Sequence, residues 1–249
     1  MSSSNLSASQ AAKPKSFKAL IEKQKRWLFV YISLFLALLA LFILIISQIE
    51  IEGAPSKRAY ENLNNEIYQW VLQNKNQQGL DWLVVENTLT KGIRLTFDPN
   101  QLPGVPLFPS ARATINPRYL PYIRQFSDFL KTLDLPHLDQ RFAKSYHLLE
   151  SLGYQIQITI RVEGHTDSLP LAKTAFYRNN VELSTFRAYA LMQQLLAQTQ
   201  LPPDYFAIVG YGSFHPLTDN PEDPQNRRVE VYLLPEMNAK QASVSEERG

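Results

Sequence analysis

The sequence predicts an α+β protein built in series. One N-terminal transmembrane helix leads through a helical linker to a C-terminal α/β sandwich, in which helices layer on a mixed sheet. Three observations predict this. Leu28–Ile46 is a run of 19 residues without a charge. Residues 57–76 place apolar side chains at helical spacing. From Trp82 onward, alternating and helix-periodic segments follow one another in the order β-β-α-α-β-α-β-β.

As a helix, the uncharged run covers roughly 29 Å, close to the roughly 30 Å hydrocarbon core of a bilayer. Trp27 and Tyr31 suit one membrane interface, and Ser47, Gln48 and Glu50 mark the other. A buried core helix rarely stays apolar on every face for this length. A cleaved signal peptide would be shorter and end in a small-x-small site, whereas this run continues Ile46-Ser47-Gln48-Ile49-Glu50. Ahead of the span, residues 1–26 carry six basic side chains against Glu22, a net +5 within a chain of formal charge +2. That flank predicts a cytoplasmic N-terminus in the bacterial inner membrane and a periplasmic C-terminal part. The expected division is a basic cytoplasmic tail over 1–26, the transmembrane helix over 27–49, a periplasmic linker helix over 50–79, the folded domain over 80–236 and a disordered polar tail over 237–249.

In the linker, Ser56 is a candidate cap, and Ala59, Leu63, Ile67, Trp70 and Val71 form one stripe. The stripe suits a stalk or dimer-forming helix, or a regulatory segment lying on the membrane. Trp82–Glu86 and Gly92–Phe97 read as strands, and the proline-rich 98–109 reads as a loop. Asn116-Pro117 opens a helix to about Leu133. Pro136 breaks it, and a further helix covers 138–151 before Gly153. Ile156, Ile158, Ile160 and Val162 share one face of a strand over 155–162. An amphipathic helix over 183–198 ends at Pro202-Pro203, and Phe206–Val209 and Val229–Leu234 are the last strands.

Composition excludes several classes of function. The chain of 249 residues has no cysteine, so it has no disulfide framework, thiolate metal site, Cys nucleophile or lipoprotein anchor. Four histidines, at 137, 147, 165 and 215, leave little for a metal cluster, and the near-neutral charge gives no nucleic-acid footprint. His165 and Asp167 lie within one tight turn without a Ser or Cys nucleophile motif, which argues against an enzyme. Gly210-x-Gly212 opens no helix and is not a nucleotide loop. No cofactor is expected.

Chemistry concentrates in the last third. A strand runs into Glu163-Gly164-His165-Thr166-Asp167. Asn180-x-x-Leu183-Ser184-x-x-Arg187-Ala188 opens a helix, Gly210-Tyr211-Gly212 follows a strand, and Asn226-Arg227-Arg228-Val229-Glu230 enters the last one. An acid and a base at two element ends suit a zwitterion: the carboxylate takes an ammonium, the guanidinium a carboxylate in a bidentate fork. Blander roles stand beside this one. Arg187, read as lying in a first helical turn, suits pairing with Glu182 or Glu163; Asp167 suits a turn cap; Asn226 and Arg227 suit holding the fold.

In this order and spacing, the motifs over about residues 93–235 resemble the OmpA-like peptidoglycan-binding domain. The resemblance implies that Asp167 and Arg187 hold the zwitterionic centre of diaminopimelate in the stem peptide, with Thr166, Asn180 and Arg228 as further candidates. The long loop Ser168–Asn179 and the stretch Leu107-Phe108-Pro109-Ser110-Ala111 are similar to the MotB type of this family, as is the layout of basic tail, single span, linker and domain. MotB resemblance implies a homodimer. The MotB span has the form W-x-x-x-Y-x-D-x-x-x-A, in which the Asp carries the coupling ion. Here Trp27, Tyr31 and Ala37 match, and Ser33 stands at the Asp position. A second departure is an insertion over about 134–153. Two readings follow: an inner-membrane anchor that grips the cell wall, or a stator subunit of an ion-driven motor (flagellar, gliding-type or Zorya-type phage defence) with a MotA- or ExbB-like multi-span partner.

Overall fold

The computed structural model describes residues 14–88 and 91–240. Residues 1–13 of the basic tail and 241–249 of the polar tail lie outside the described residues. The chain divides into two compact units, one up to Pro55 and one from Ser56. Helix α1 (Pro14–Gln77) contributes to both.

In the first unit, Trp27–Ser47 is long and apolar enough to cross a membrane, with a mean hydropathy of 3.0, and none of it is buried against the rest of the chain. Serine on such a helix must satisfy its hydroxyl locally. Ser33 Oγ donates to the carbonyl of Val30, 2.9 Å away, one turn back.

The second unit is built on a five-stranded sheet in the order β1-β2-β5-β3-β4. The strands are β1 (Leu83–Thr88), β2 (Gly92–Phe97), β3 (Tyr154–Gly164), β4 (Phe206–Gly210) and β5 (Val229–Ala239). Only β3 and β4 are parallel, and α5 (Asn180–Thr199) connects them, as a parallel pair requires. Period-two alternation sets the two faces. Ile93 and Leu95 of β2, Ile158, Ile160 and Val162 of β3, and Val229, Val231 and Leu233 of β5 enter the core. There they meet α2 (Leu120–Thr132), through Ile123, Phe126, Phe129 and Leu130, and α5, through Ala188, Leu191 and Leu195. Asn116 caps the approach to α2 with its side chain, and Pro117 starts a 3-10 turn over Pro117–Tyr119 before the helix proper.

Five expectations need correction. The linker helix is not a separate stalk. Ala59, Leu63, Ile67 and Val71 recur every four residues, are buried, and join the core of the second unit. Asn64 Nδ2 bonds Asn87 Oδ1 of β1, Ser145 Oγ bonds Glu66, and the Arg141 guanidinium stacks 3.8 Å from the centre of the Trp70 ring. The folded unit therefore begins at Ser56 rather than at residue 80, and Ser56 lies inside α1 rather than capping a new helix. The helix expected over 138–151 is two, α3 (Leu138–Arg141) and α4 (Ala143–Ser151), broken at Phe142, whose backbone leaves the helical region. Finally, residues 237–239 are not tail. The long β3 offers backbone partners as far as Tyr154, so Met237 pairs with Ile156 and Ala239 with Tyr154.

Candidate functional site

The site lies beyond the ends of the parallel pair β3–β4, where α5 comes down on the sheet. Two paired glycines allow the approach. A Cβ on Gly164 would strike the Ser184 carbonyl, and one on Gly210 would strike Thr185. Gly212 then turns the chain with φ +56°. Its N–H donates to Ser184 Oγ at 2.8 Å, and its carbonyl accepts from Thr166 N at 2.8 Å. The spaced glycines and serine in the motifs are thus one packed junction. It fixes the turn after β3 against the second turn of α5.

Arg187 is the eighth residue of α5, not part of its first turn, because the helix starts at Asn180. It is only 2% exposed. Nε donates to Arg112 O at 3.0 Å, Nη2 donates to Pro109 O at 3.3 Å, and the guanidinium faces the Phe108 ring. Among the described residues, Nη1 has no acceptor. Arg187 pairs with neither acid considered for it. Glu182 accepts from Arg178 N, and Glu163 is taken by Lys91 and Arg161. Burial lowers the guanidinium pKa to about 10; the nearby Arg227 charge pushes the same way, and Asp167 opposes it.

Asp167 is 7% exposed and forms an ion pair with Arg227, Oδ2 to Nη1, at 2.6 Å. Asn180 Nδ2 holds the carbonyls of Asp167, at 3.2 Å, and Leu169, at 3.0 Å. The expected pair is therefore part of a triad of charges: Asp167 is ion-paired to Arg227, and the buried Arg187 guanidinium lies near enough to feel both. Arg227, read from sequence as holding the fold, is in the site. Asn226 is buried and structural: its Oδ1 accepts from Leu217 N and Thr218 N, and its Nδ2 donates to Asn220 O.

Thr166 is buried beside Asp167, and its Oγ1 has no partner. Arg228 points elsewhere. Its Nε pairs with Glu230 at 2.5 Å, and its guanidinium reaches the carbonyl of His215. Arg227 ends the 3-10 turn Pro224–Asn226 and Arg228 leads into β5, and their guanidiniums serve different groups. Arg228 belongs to a second cluster of Glu163, His165 and Glu230, whose possible ligand atoms lie within 4.8 Å of one another. Four cations already serve its two carboxylates: Lys91 and Arg161 on Glu163, Arg94 and Arg228 on Glu230. Tyr232 donates to Glu230 at 2.6 Å. Burial favours the neutral acid at Glu230, but the bond from Tyr232 and the Arg228 charge outweigh it and hold its pKa below the ordinary value. A divalent cation would have to displace these partners. His165 stacks on Tyr211 and both its ring nitrogens lack partners, so it forms no dyad with Asp167.

Residues 131–230 match the OmpA family. Motility protein B of Bacillus subtilis is 25% identical over 185 residues, 73% of this chain and 59% of the relative. Residues 131–230 are an OmpA-like domain. YtxE of Bacillus subtilis, uncharacterized, is 38% identical over 90 residues, 35% of this chain and 37% of the relative. Zorya protein ZorB of Escherichia coli is 34% identical over 110 residues, 39% of this chain and 46% of the relative. The fold is shared with a MotB-like protein from Desulfovibrio vulgaris, at a TM-score of 0.51 and 18% identity, over 72% of this chain and 99% of that one. The chain thus spans between about a third and three fifths of the length of these two Bacillus relatives. Within the OmpA-like domain, Arg227 is the residue that sequence reasoning missed. Its place beside Arg228 in the motif was visible, but its partner, 60 residues earlier, was not.

Proposed function

We propose that this protein is an inner-membrane anchor that binds peptidoglycan non-covalently through its OmpA-like domain. In this reading the N-terminus is cytoplasmic, the domain is periplasmic, and the protein works as a homodimer. One observation carries the site assignment: Asp167 and the unfilled Nη1 of a buried Arg187, on two different elements, converge with Arg227 beyond the β3–β4 strand ends. Two cations and one carboxylate leave a net positive site. A ligand carboxylate docks between Arg187 and Arg227, and an ammonium meets Asp167. Both contacts are charge-assisted, and diaminopimelate in a stem peptide offers both groups on one carbon.

The detergent-solubilised full chain is expected to pellet with peptidoglycan. Asp167→Asn and Arg187→Lys keep volume and, for Lys, charge. Each is expected to weaken binding roughly tenfold or more, the worth of one charge-assisted bond at about 1.5–3 kcal/mol. Unchanged pelleting by both variants, with circular dichroism unaltered, rejects the site.

A second reading, a stator subunit with a MotA- or ExbB-like membrane partner, is favoured by the similarity to Motility protein B and ZorB. Ser33 stands against it. A hydroxyl bonded to its own helix has no charge to load or release near neutral pH.

A further inference from the structure

Beside the triad, aromatic rings stand in water. Phe176 is 87% exposed, and Phe186 of α5 is 43% exposed. Tyr177 joins them: its ring centre lies 5.1 Å from Phe176, nearly perpendicular, and 5.4 Å from Phe186, tilted. Tyr177 is also close enough to Arg187 to act on its charge, so the ring cluster adjoins the site.

The cluster is held in place. Asn179 caps α5 by accepting from Glu182 N at 2.9 Å, and the Glu182 carboxylate in turn accepts from Arg178 N at 2.6 Å. Asn180 ties the same turn to the carbonyls of Asp167 and Leu169. A fixed aromatic surface in water is unfavourable unless something covers it. Three partly exposed rings offer about 300 Å², well short of the roughly 800 Å² per partner that a stable protein interface buries. The surface is open rather than a pocket, and exposed Lys173 and Arg178 flank it in the same loop.

We propose that Phe176, Tyr177 and Phe186 form a stacking ledge for the pyranose rings of an N-acetylhexosamine strand. This inference rests on the reading above, in which the neighbouring triad takes the peptide attached to such a strand. A pyranose has an apolar C–H face and polar edges. It covers a ring while its hydroxyl and amide groups stay hydrated, and an open ledge suits a polymer that passes across it. Lys173 and Arg178 supply positive charge where the strand bears carboxylates.

The test uses the full chain in detergent and three probes: a diaminopimelate-containing stem peptide without sugar, the disaccharide carrying that peptide, and chitotetraose, a sugar without peptide. Phe176→Ala and Phe186→Ala are expected to weaken both sugar-containing probes about fivefold, the scale of one aromatic stacking contact. Both variants leave the sugar-free peptide unchanged, and Phe176→Tyr keeps wild-type affinity. Asp167→Asn does the reverse, weakening the peptide and sparing chitotetraose. If the sugar-free peptide binds nothing, the triad reading fails and chitotetraose alone judges the ledge. Equal affinity of wild type and both Ala variants for the sugar probes overturns the proposal, as does wild type failing to bind either. Loss of a dimer, or of binding to anionic vesicles, with sugar affinity unchanged overturns it in favour of self-association or a lipid surface.

Discussion

Arg187 and His165 sit a few residues from the same junction, and burial acts on both in the same direction. Each is disfavoured in its charged form, Arg187 with its pKa lowered to about 10 and His165 to about 4. The consequences differ, because only histidine crosses its pKa near neutrality. His165 is lowered first by burial and then by the Arg228 charge. With a folded pKa of about 4 and an unfolded value of 6.5, the unfolded chain binds the extra proton first as pH falls. Stability is therefore full above pH 6.5 and declines as pH drops toward 4, by at most about 3 kcal/mol. Urea midpoints between pH 7.5 and 4.5 measure the slope. His165→Phe keeps the stack on Tyr211 and removes two unpartnered nitrogens, so it is expected to be near neutral at pH 7 and to flatten the slope. An unchanged slope in that variant assigns the acid sensitivity to other groups. At this scale the sequence was legible for neighbourhood, since the Arg187 guanidinium lies close enough to Asp167 to feel its charge. It was not legible for partners: which of Arg227 and Arg228 faces Asp167 depends on how the chain leaves the 3-10 turn Pro224–Asn226 for β5, which no local pattern records.

Elements show the same limit at a larger size. The stripe Ala59, Leu63, Ile67, Val71 predicts a helix with one apolar face, and the helix is there. Periodicity cannot say what covers that face. A dimer partner, a bilayer and the protein's own sheet all ask for the same side chains. The structure chooses the core of the second unit, with Leu63 at 0% and Ile67 at 2% exposure. Leu63→Ala and Ile67→Ala are therefore expected to cost about 2–5 kcal/mol each in the unfolding of that unit. A stalk would lose stability only with its dimer, so the discriminating measurement is a thermal melt at several protein concentrations. A concentration-dependent loss restores the stalk reading. Strands were legible where one face is apolar, as with Ile156, Ile158, Ile160 and Val162. The end of β5 was not, because Glu236, Asn238 and the proline between them and Leu234 read as tail; only the length of β3 draws them into the sheet.

For the whole molecule the question is whether the membrane segment does more than hold on. A stator needs a group in the span that binds and releases an ion at a partner surface, and a carboxylate is kept in mid-membrane at about 2.5–3.5 kcal/mol on insertion scales because the function requires it. This chain has Ser33 in that place and no ionisable residue between Trp27 and Ser47 other than Tyr31. The Ser33 hydroxyl is satisfied by Val30 O, so it asks nothing of a partner. Val30, Ser33 and Ala37 lie one turn apart on one side of the helix, which suits close helix–helix packing without ion chemistry. The wild-type chain, co-expressed with a MotA-like multi-span protein, is therefore expected to pass no protons, and Ser33→Ala is expected to change nothing. Ser33→Asp is the informative third arm, because it restores the carboxylate on the same helix face. Flux gained only in Ser33→Asp would mean that the MotB-type architecture is intact and the ion step has been lost from it. The measurement is cytoplasmic pH under an imposed gradient. Proton flux through the wild type, abolished by Ser33→Ala, would overturn the anchor reading, because the hydroxyl would then be the coupling group itself.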